Sequence, residues 1–380
     1  MAGDNRGARK SFGQKTGRIV LIAFSAVLAC MAILVGILLI WSPGKQQPFL
    51  DAGGRPVVGS LSEKIRVNIN GVDQGMFIKS RDVRNPVLLY LHGGMPDYFL
   101  TQPYPTGLEN IFTVCWWEQR GSGLSYSAGT RPETITADLL ISDTLEVTRY
   151  LRNRFGKNRI YLMGHSGGTF IGIQAAARAP ELYRAYIGVA QMSDQLRSEQ
   201  LAYEYMISQF KKNGDSRMLQ KLEAAPVSMT AGTPAAYLGV RDAAMHSLGV
   251  GTMHDMKSVA GGIFLRSLQF REYTLGEKIN LWRAKASAGT SVVWQKVIST
   301  NLAEQIPQIN LPVYFFEGKY DYTCSYAVAK SYFEILKAPL KGFYTFEKSA
   351  HSPLFEEPEK VQRILREDVL PGTNGLSDQI

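Results

Sequence analysis

Apolar residues downstream of position 60 fall into two rhythms. Short runs at 65–68, 74–79, 87–91, 112–117, 160–163, 185–190 and 313–316, several of them continuously apolar, have the length and composition of buried strands. Continuous apolar strands belong to parallel sheets covered on both faces. Between them, 137–154 and 169–178 repeat apolar positions at helical spacing. Alternating strands and helices imply an α/β domain with a mostly parallel central sheet. The alternation stops between 193 and about 308, where 196–212, 218–224, 235–245 and 277–286 all read as helices. That block is expected to be a helical lid, 193–308, inserted into a core formed by 61–192 and 309–380.

The N-terminal pattern is different. Residues 19–41 run for 23 positions without a charge, which at ~1.5 Å per residue spans roughly 35 Å, enough to cross a bilayer core. A cleaved signal peptide has an apolar stretch of only about 7–15 residues. This run also ends at Trp41-Ser42-Pro43 rather than at a small-x-small site, and it continues well past Cys30, which disfavours a lipoprotein. Residues 1–18 carry five cations (Arg6, Arg9, Lys10, Lys15, Arg18) against Asp4. This basic tail is expected in the cytoplasm and the remainder of the chain outside it. Residues 42–60, rich in Pro and Gly, read as a linker.

Charge changes little else. Of the formal net charge of +9 over 380 residues, about half the excess sits in that tail, and the rest is spread without a long basic run. Nucleic acid is therefore not an expected partner. Cys30, Cys115 and Cys324 form neither a disulfide framework nor a metal-binding spacing. No cofactor is implied.

The chemistry starts at Gly164-His165-Ser166-Gly167-Gly168, which follows the strand at 160–163 and precedes a helix. G-x-S-x-G in that context is a nucleophile elbow: the tight turn lifts the Ser166 hydroxyl clear of the sheet, at a helix N-terminus that favours developing negative charge. Asp321 lies in the loop after the strand at 313–316. His351 lies beyond the apolar stretch 343–346, where a general base has to sit to face Ser166. Glu317, at the end of its strand, is a rival acid but reads as structural. His246 and His254 fall in the lid without an acid from the sheet, and His165 is expected to pack near the turn. Two backbone N–H groups are expected to hold an oxyanion, one on Gly167 and one in the loop His92-Gly93-Gly94-Met95-Pro96.

Those motifs, with Gln119-Arg120-Gly121-Ser122-Gly123-Leu124-Ser125 and Gly318-Lys319-Tyr320-Asp321, resemble the α/β-hydrolase superfamily over about residues 60–370. Within it the chain is most similar to the proline iminopeptidase-like serine peptidases. The resemblance implies the α/β-hydrolase fold, a triad of Ser166, Asp321 and His351, and an oxyanion hole at Gly94 and Gly167. The chain departs from that family in four places. Met95-Pro96 follows the two glycines, Glu118 stands where the family has Asp, and Gly167 stands where it has Trp. The lid offers Trp282 and Trp294-Gln295 but no acidic Trp-x-x-Trp-Glu segment.

The expected activity is hydrolysis of an ester or amide through an acyl-serine, on a small molecule or short peptide. A small-ester carboxylesterase and a non-catalytic receptor of the same fold are the alternatives. An aminopeptidase needs lid carboxylates for the substrate ammonium; the lid acids include Glu199, Glu204, Asp242, Asp255 and Glu272, with Glu204 in the first lid helix a candidate to point inward.

Overall fold

Eight strands form one sheet: β1 (Leu61–Ile69), β2 (Val72–Ser80), β3 (Val87–Leu91), β4 (Thr113–Trp117), β5 (Ile160–His165), β6 (Tyr183–Val189), β7 (Val313–Gly318) and β8 (Lys341–Phe346). The computed structural model describes residues 6–230, 232–288 and 291–379. The strand order is β1-β2-β4-β3-β5-β6-β7-β8. β1–β2 and β2–β4 pair antiparallel and all later neighbours pair parallel. Side chains alternate between the two faces of a strand, and the core follows that alternation. Leu89, Leu91, Cys115 and Trp117 enter one apolar cluster, while Leu88, Tyr90, Val114 and Trp116 enter the other.

Helix α1 (Arg6–Ile40) precedes the sheet; α2 (Ala137–Phe155) and α3 (Gly167–Arg178) cover the first face. Thr136 caps α2 by accepting from the Leu139 N–H, and Gly156 ends it at φ 59°. Between β6 and β7 come α4 (Gln195–Asn213), α5 (Ser216–Glu223), α6 (Ala235–Ser247), α7 (Leu265–Gln269), α8 (Leu275–Ala288), α9 (Val292–Ile298) and α10 (Leu302–Gln305). The first three of these share a small core of their own, built on Ala202, Met206, Phe210, Leu222, Tyr237 and Met245. Helix α11 (Tyr326–Ile335) returns to the first face, and α12 (Pro353–Glu356) and α13 (Pro358–Ile364) pack on the second.

Several elements are longer than the sequence pattern suggests. β1 and β2 extend to a tight hairpin that closes Ile69 on Val72 through Asn70 (φ 47°) and Gly71 (φ 78°), the Asn-Gly pair that suits a two-residue turn. The inserted block also holds a π turn at Ala260–Phe264 and helices α7, α9 and α10 beyond those expected.

Helix α1 begins at Arg6 rather than at 19, because Arg and Lys are good helix formers and carry the ladder into the basic segment. Residues 1–5 of that tail lie outside the described residues. Its stretch Gly17–Ile40 is 24 residues long, apolar enough to cross a membrane, and none of it is buried against the rest of the protein. The helix end is fastened to the insert: Lys278 Nζ donates to the carbonyls of Trp41 (2.8 Å) and Leu268 (2.5 Å) and to Ser42 Oγ (2.9 Å). Gly44 N–H donates to Arg271 O at 3.1 Å. Residues 42–60 then run along the domain, with Gln47 O accepting from Ser62 Oγ and Gly59 O from Val83 N.

Candidate active site

Ser166 follows β5 at the N-cap position of α3, with φ 55° and ψ −124°, a conformation that a residue with a Cβ occupies only when its surroundings impose it. Those surroundings are backbone. The Ser166 N–H donates to Val189 O at 3.0 Å, and the Ser166 carbonyl accepts from Thr169 Oγ1 at 2.6 Å. A Cβ at Gly168 would stand 2.1 Å from Leu91 O, so only glycine lets α3 approach β3 this closely. A Cβ at Gly93 would stand 2.8 Å from Ser166 Cβ, which makes the loop after β3 a direct neighbour of the serine.

Asp321 and His351 come from the loops after β7 and β8. His351 Nδ1 is 2.8 Å from Asp321 Oδ2. The other carboxylate oxygen accepts the N–H groups of Thr323 (2.7 Å) and Cys324 (2.9 Å). Fixed on both oxygens, the carboxylate places the histidine proton on Nδ1 and leaves Nε2 basic. Glu317 does not reach His351. It is buried beneath Gln191, whose N–H it accepts at 2.9 Å, and burial pushes its carboxyl well above the usual range.

Ser166, His351, Gly93, Gly94 and Gly167 all line one cavity of about 380 Å³. A Cβ on Gly167 would lie 3.8 Å from Gly94 N, so the two amides expected to hold an oxyanion sit on adjoining backbone. The loop after β3 is braced from below. His92 Nδ1 faces Gly93 O at 2.9 Å, its Nε2 accepts the Gln119 N–H at 3.0 Å, and Gln119 Nε2 donates to His92 O at 2.7 Å. Burial holds His92 down at about 4, so it is neutral. Arg120, next in that segment, forms a buried pair with Asp143 at 2.7 and 2.9 Å. Glu118 reaches the insert: its carboxyl accepts from Tyr273 Oη and Leu124 N, and burial raises it to about 8.

Behind the elbow stands a second His–Asp pair that sequence reasoning missed. His165 Nδ1 is 2.9 Å from Asp97 Oδ2, which also accepts from Tyr90 Oη at 2.7 Å. His165 Nε2 lies 2.9 Å from the carbonyl oxygen of His351. The elbow histidine does more than pack near the turn, since it links Asp97 to the backbone of His351. No local signal marks this pair, whose members are 68 positions apart.

The lid acids separate clearly. Glu199 is fully buried in a bidentate pair with Arg241 (2.7 and 2.8 Å) and also accepts from Tyr237 Oη and Gln195 Nε2. Glu204 is exposed and, among the described residues, accepts from Gln200 Nε2, so it does not point inward. Asp255 is exposed, and Glu272 pairs with the buried Lys79 at 2.6 Å. Asp242 does line the cavity, held by Arg241 Nη1 at 2.9 Å. Burial opposes its charge, but Arg241 and Lys285 keep its carboxyl below the usual range. Lys285 lines the cavity too, its Nζ 3.8 Å from where a Gly94 Cβ would be.

Residues 86–358 match the alpha/beta hydrolase fold family, and the chain belongs to that family. It is similar to the probable aminopeptidase YbaC of Bacillus subtilis, 30% identical over 321 residues that cover 80% of this chain and 95% of that protein. Among solved structures it resembles the proline iminopeptidase of Mycobacterium smegmatis (TM-score 0.55, 14% identity, 80% of this chain and 96% of that one). It also resembles a proline iminopeptidase-related protein of Thermus thermophilus (TM-score 0.51, 18% identity, 81% and 96%).

Proposed function

We propose that the protein is a serine hydrolase that cleaves a small ester or amide through an acyl-Ser166 intermediate. The observation that carries this reading is the Asp321–His351 contact at 2.8 Å, with His351 lining one cavity together with the strained Ser166 and the glycines of two candidate oxyanion loops. His351 Nε2 takes the Ser166 proton as Oγ bonds to the substrate carbonyl carbon, and the N–H groups of Gly94 and Gly167 hold the resulting oxyanion. Each such donor is worth about 2.7–4 kcal/mol in the transition state. Collapse breaks the ester or amide bond, and the leaving group takes the proton from His351. Water then gives a proton to His351 and attacks the acyl carbon; the acid departs and Ser166 regains its proton. Asp321 holds the imidazole and balances its transient charge.

An ester is favoured over an amino-terminal amide by the charges around the cavity. Lys285 stands beside Gly94, and Asp242, the insert acid that lines the cavity among the described residues, is already engaged by Arg241. A substrate ammonium would meet a cation next to the oxyanion loop and would find a carboxylate with one oxygen taken. The aminopeptidase reading is supported by the name of the Bacillus subtilis relative and, among the described residues, by an Asp242 oxygen without a partner and by the unpartnered Oδ1 of Asp97, which also lines the cavity.

Helix α1 serves in this reading as a single membrane anchor, with the N-terminus in the cytoplasm and the hydrolase domain outside, supported by the 24-residue exposed apolar stretch and the basic residues before it. Turnover of p-nitrophenyl butyrate and of prolyl, alanyl and leucyl naphthylamides by the full-length protein tests the activity. Ester hydrolysis that vanishes in Ser166→Ala is expected; turnover retained in that variant contradicts the reading.

A further inference from the structure

The carbonyl end of α1 is not a free tether. Lys278 of α8 ties it to Leu268, and Gly44 hydrogen-bonds Arg271, so the point where the chain would leave a bilayer is fastened to the segment 259–283 of the insert. That segment exposes large apolar side chains beside the fastening. Phe264 and Leu265, one turn before Leu268, are 43% and 41% exposed, and Ile279, next to Lys278, is 46% exposed. Phe264 stacks edge-on against Trp282 at 5.0 Å, which joins the 264–265 turn to α8 as one surface.

The exposed charges of this segment have one sign. From 257 to 286 the exposed charged residues are Lys257, Arg266, Arg271 and Arg283. The two acids in that range are occupied: Glu272 by Lys79 and Glu277 by Lys64, each at 2.6 Å. Apolar side chains rimmed by cations, on an element fixed to the end of an apolar helix, match the requirements of an anionic lipid surface.

We propose that this face of the insert rests on the anionic bilayer that holds α1, with Phe264, Leu265 and Ile279 among the headgroups and Arg266, Arg271 and Arg283 against lipid phosphates. This rests on the reading of α1 as a membrane anchor. The same segments turn Val259, Ile263 and Trp282 into the cavity, so the wall of the candidate active site and the membrane contact are two sides of one element.

The test uses the full chain in nanodiscs. In a Cys30→Ser background, where Cys115 and Cys324 stay buried, bimane is attached singly at Phe264→Cys, Ile279→Cys or, as a control on the exposed side of α11, Glu334→Cys. Doxyl-labelled lipid in discs of equal phosphatidylcholine and phosphatidylglycerol is expected to quench the labels at 264 and 279 several-fold more than the label at 334. The difference should shrink in pure phosphatidylcholine and in Arg266→Gln/Arg283→Gln. Equal quenching at all three sites, or a difference indifferent to lipid charge, overturns the docking while the protein still resists carbonate extraction. Release of the intact protein by carbonate instead overturns the anchor reading, and the docking with it.

Discussion

His165 Nε2 lies 2.9 Å from the carbonyl oxygen of His351, and His165 Nδ1 lies 2.9 Å from Asp97 Oδ2. Both partners offer lone pairs, an arrangement that favours a proton on each nitrogen of the buried ring. Burial alone would depress its pKa, but the hydrogen bond and charge of Asp97, with the His351 carbonyl, leave it raised. The site thus has two histidines of opposite character, a neutral His92 in the loop after β3 and, beneath His351, a His165 whose charged form is favoured.

A pH dependence follows from His165. A group whose folded pKa is raised stabilises fully below its unfolded value of about 6.5, and that contribution disappears as pH rises through the folded value. Asp97→Ala leaves the imidazolium without its carboxylate, a loss of about 3–5 kcal/mol for a buried partner. The stability gap between wild type and Asp97→Ala, from urea unfolding, should be widest below the unfolded histidine value of about 6.5 and narrow as pH rises above it. A gap that widens with rising pH would show the ring to be neutral.

Glu118 predicts the opposite kind of variant. Its carboxyl is raised by burial from 4.5 to about 8, so the folded state holds a proton that the unfolded chain releases. Stability therefore falls as pH climbs between those two values. Glu118→Gln can still accept from Leu124 N and turn its amide toward Tyr273 Oη, and it removes that decline. Relative to wild type it should gain stability as pH rises from about 4.5 to about 8, by on the order of 4 kcal/mol at most. A constant offset between the two proteins across that range would contradict the assignment.

The cavity charge predicts a specificity change. Lys285→Gln should raise kcat/KM for prolyl naphthylamide about tenfold relative to p-nitrophenyl butyrate, because a like charge facing the substrate ammonium is removed. Asp242→Asn should do the reverse. If wild-type protein already prefers the prolyl amide strongly, and Asp242→Asn abolishes that preference, the aminopeptidase reading replaces the ester one.

Much of this site could be read in advance because its signals are local. The run at 160–163, the paired glycines around Ser166 and the helix after it are consecutive, and the strand-then-loop placements of Asp321 and His351 need only short windows. Contacts that join distant segments carry no such signal. Lys79–Glu272, Glu118–Tyr273 and Asp97–His165 are buried polar pairs assembled by topology, and in sequence their members look like ordinary surface or core residues. Glu204 shows a signal that was available: Ser198, Ala202, Met206 and Phe210 recur every four residues as the buried stripe of α4, with Glu199 beside it and Glu204 off it. Helix α7 carries little helical period of its own because the π turn at Ala260–Phe264 runs directly into it.

The most direct measurement is covalent capture of the nucleophile. A fluorophosphonate reacts with a serine only when a base removes its proton and an oxyanion site receives the phosphoryl oxygen, so one adduct reports on Ser166, His351, Gly94 and Gly167 together. Peptide mapping of the labelled full-length protein should place a single adduct on Ser166. Labelling should be absent in Ser166→Ala and slowed by about 10³-fold or more in His351→Ala, with Asp321→Ala adding little once His351 is gone. An unlabelled wild-type protein, or an adduct that persists in Ser166→Ala, would contradict the account.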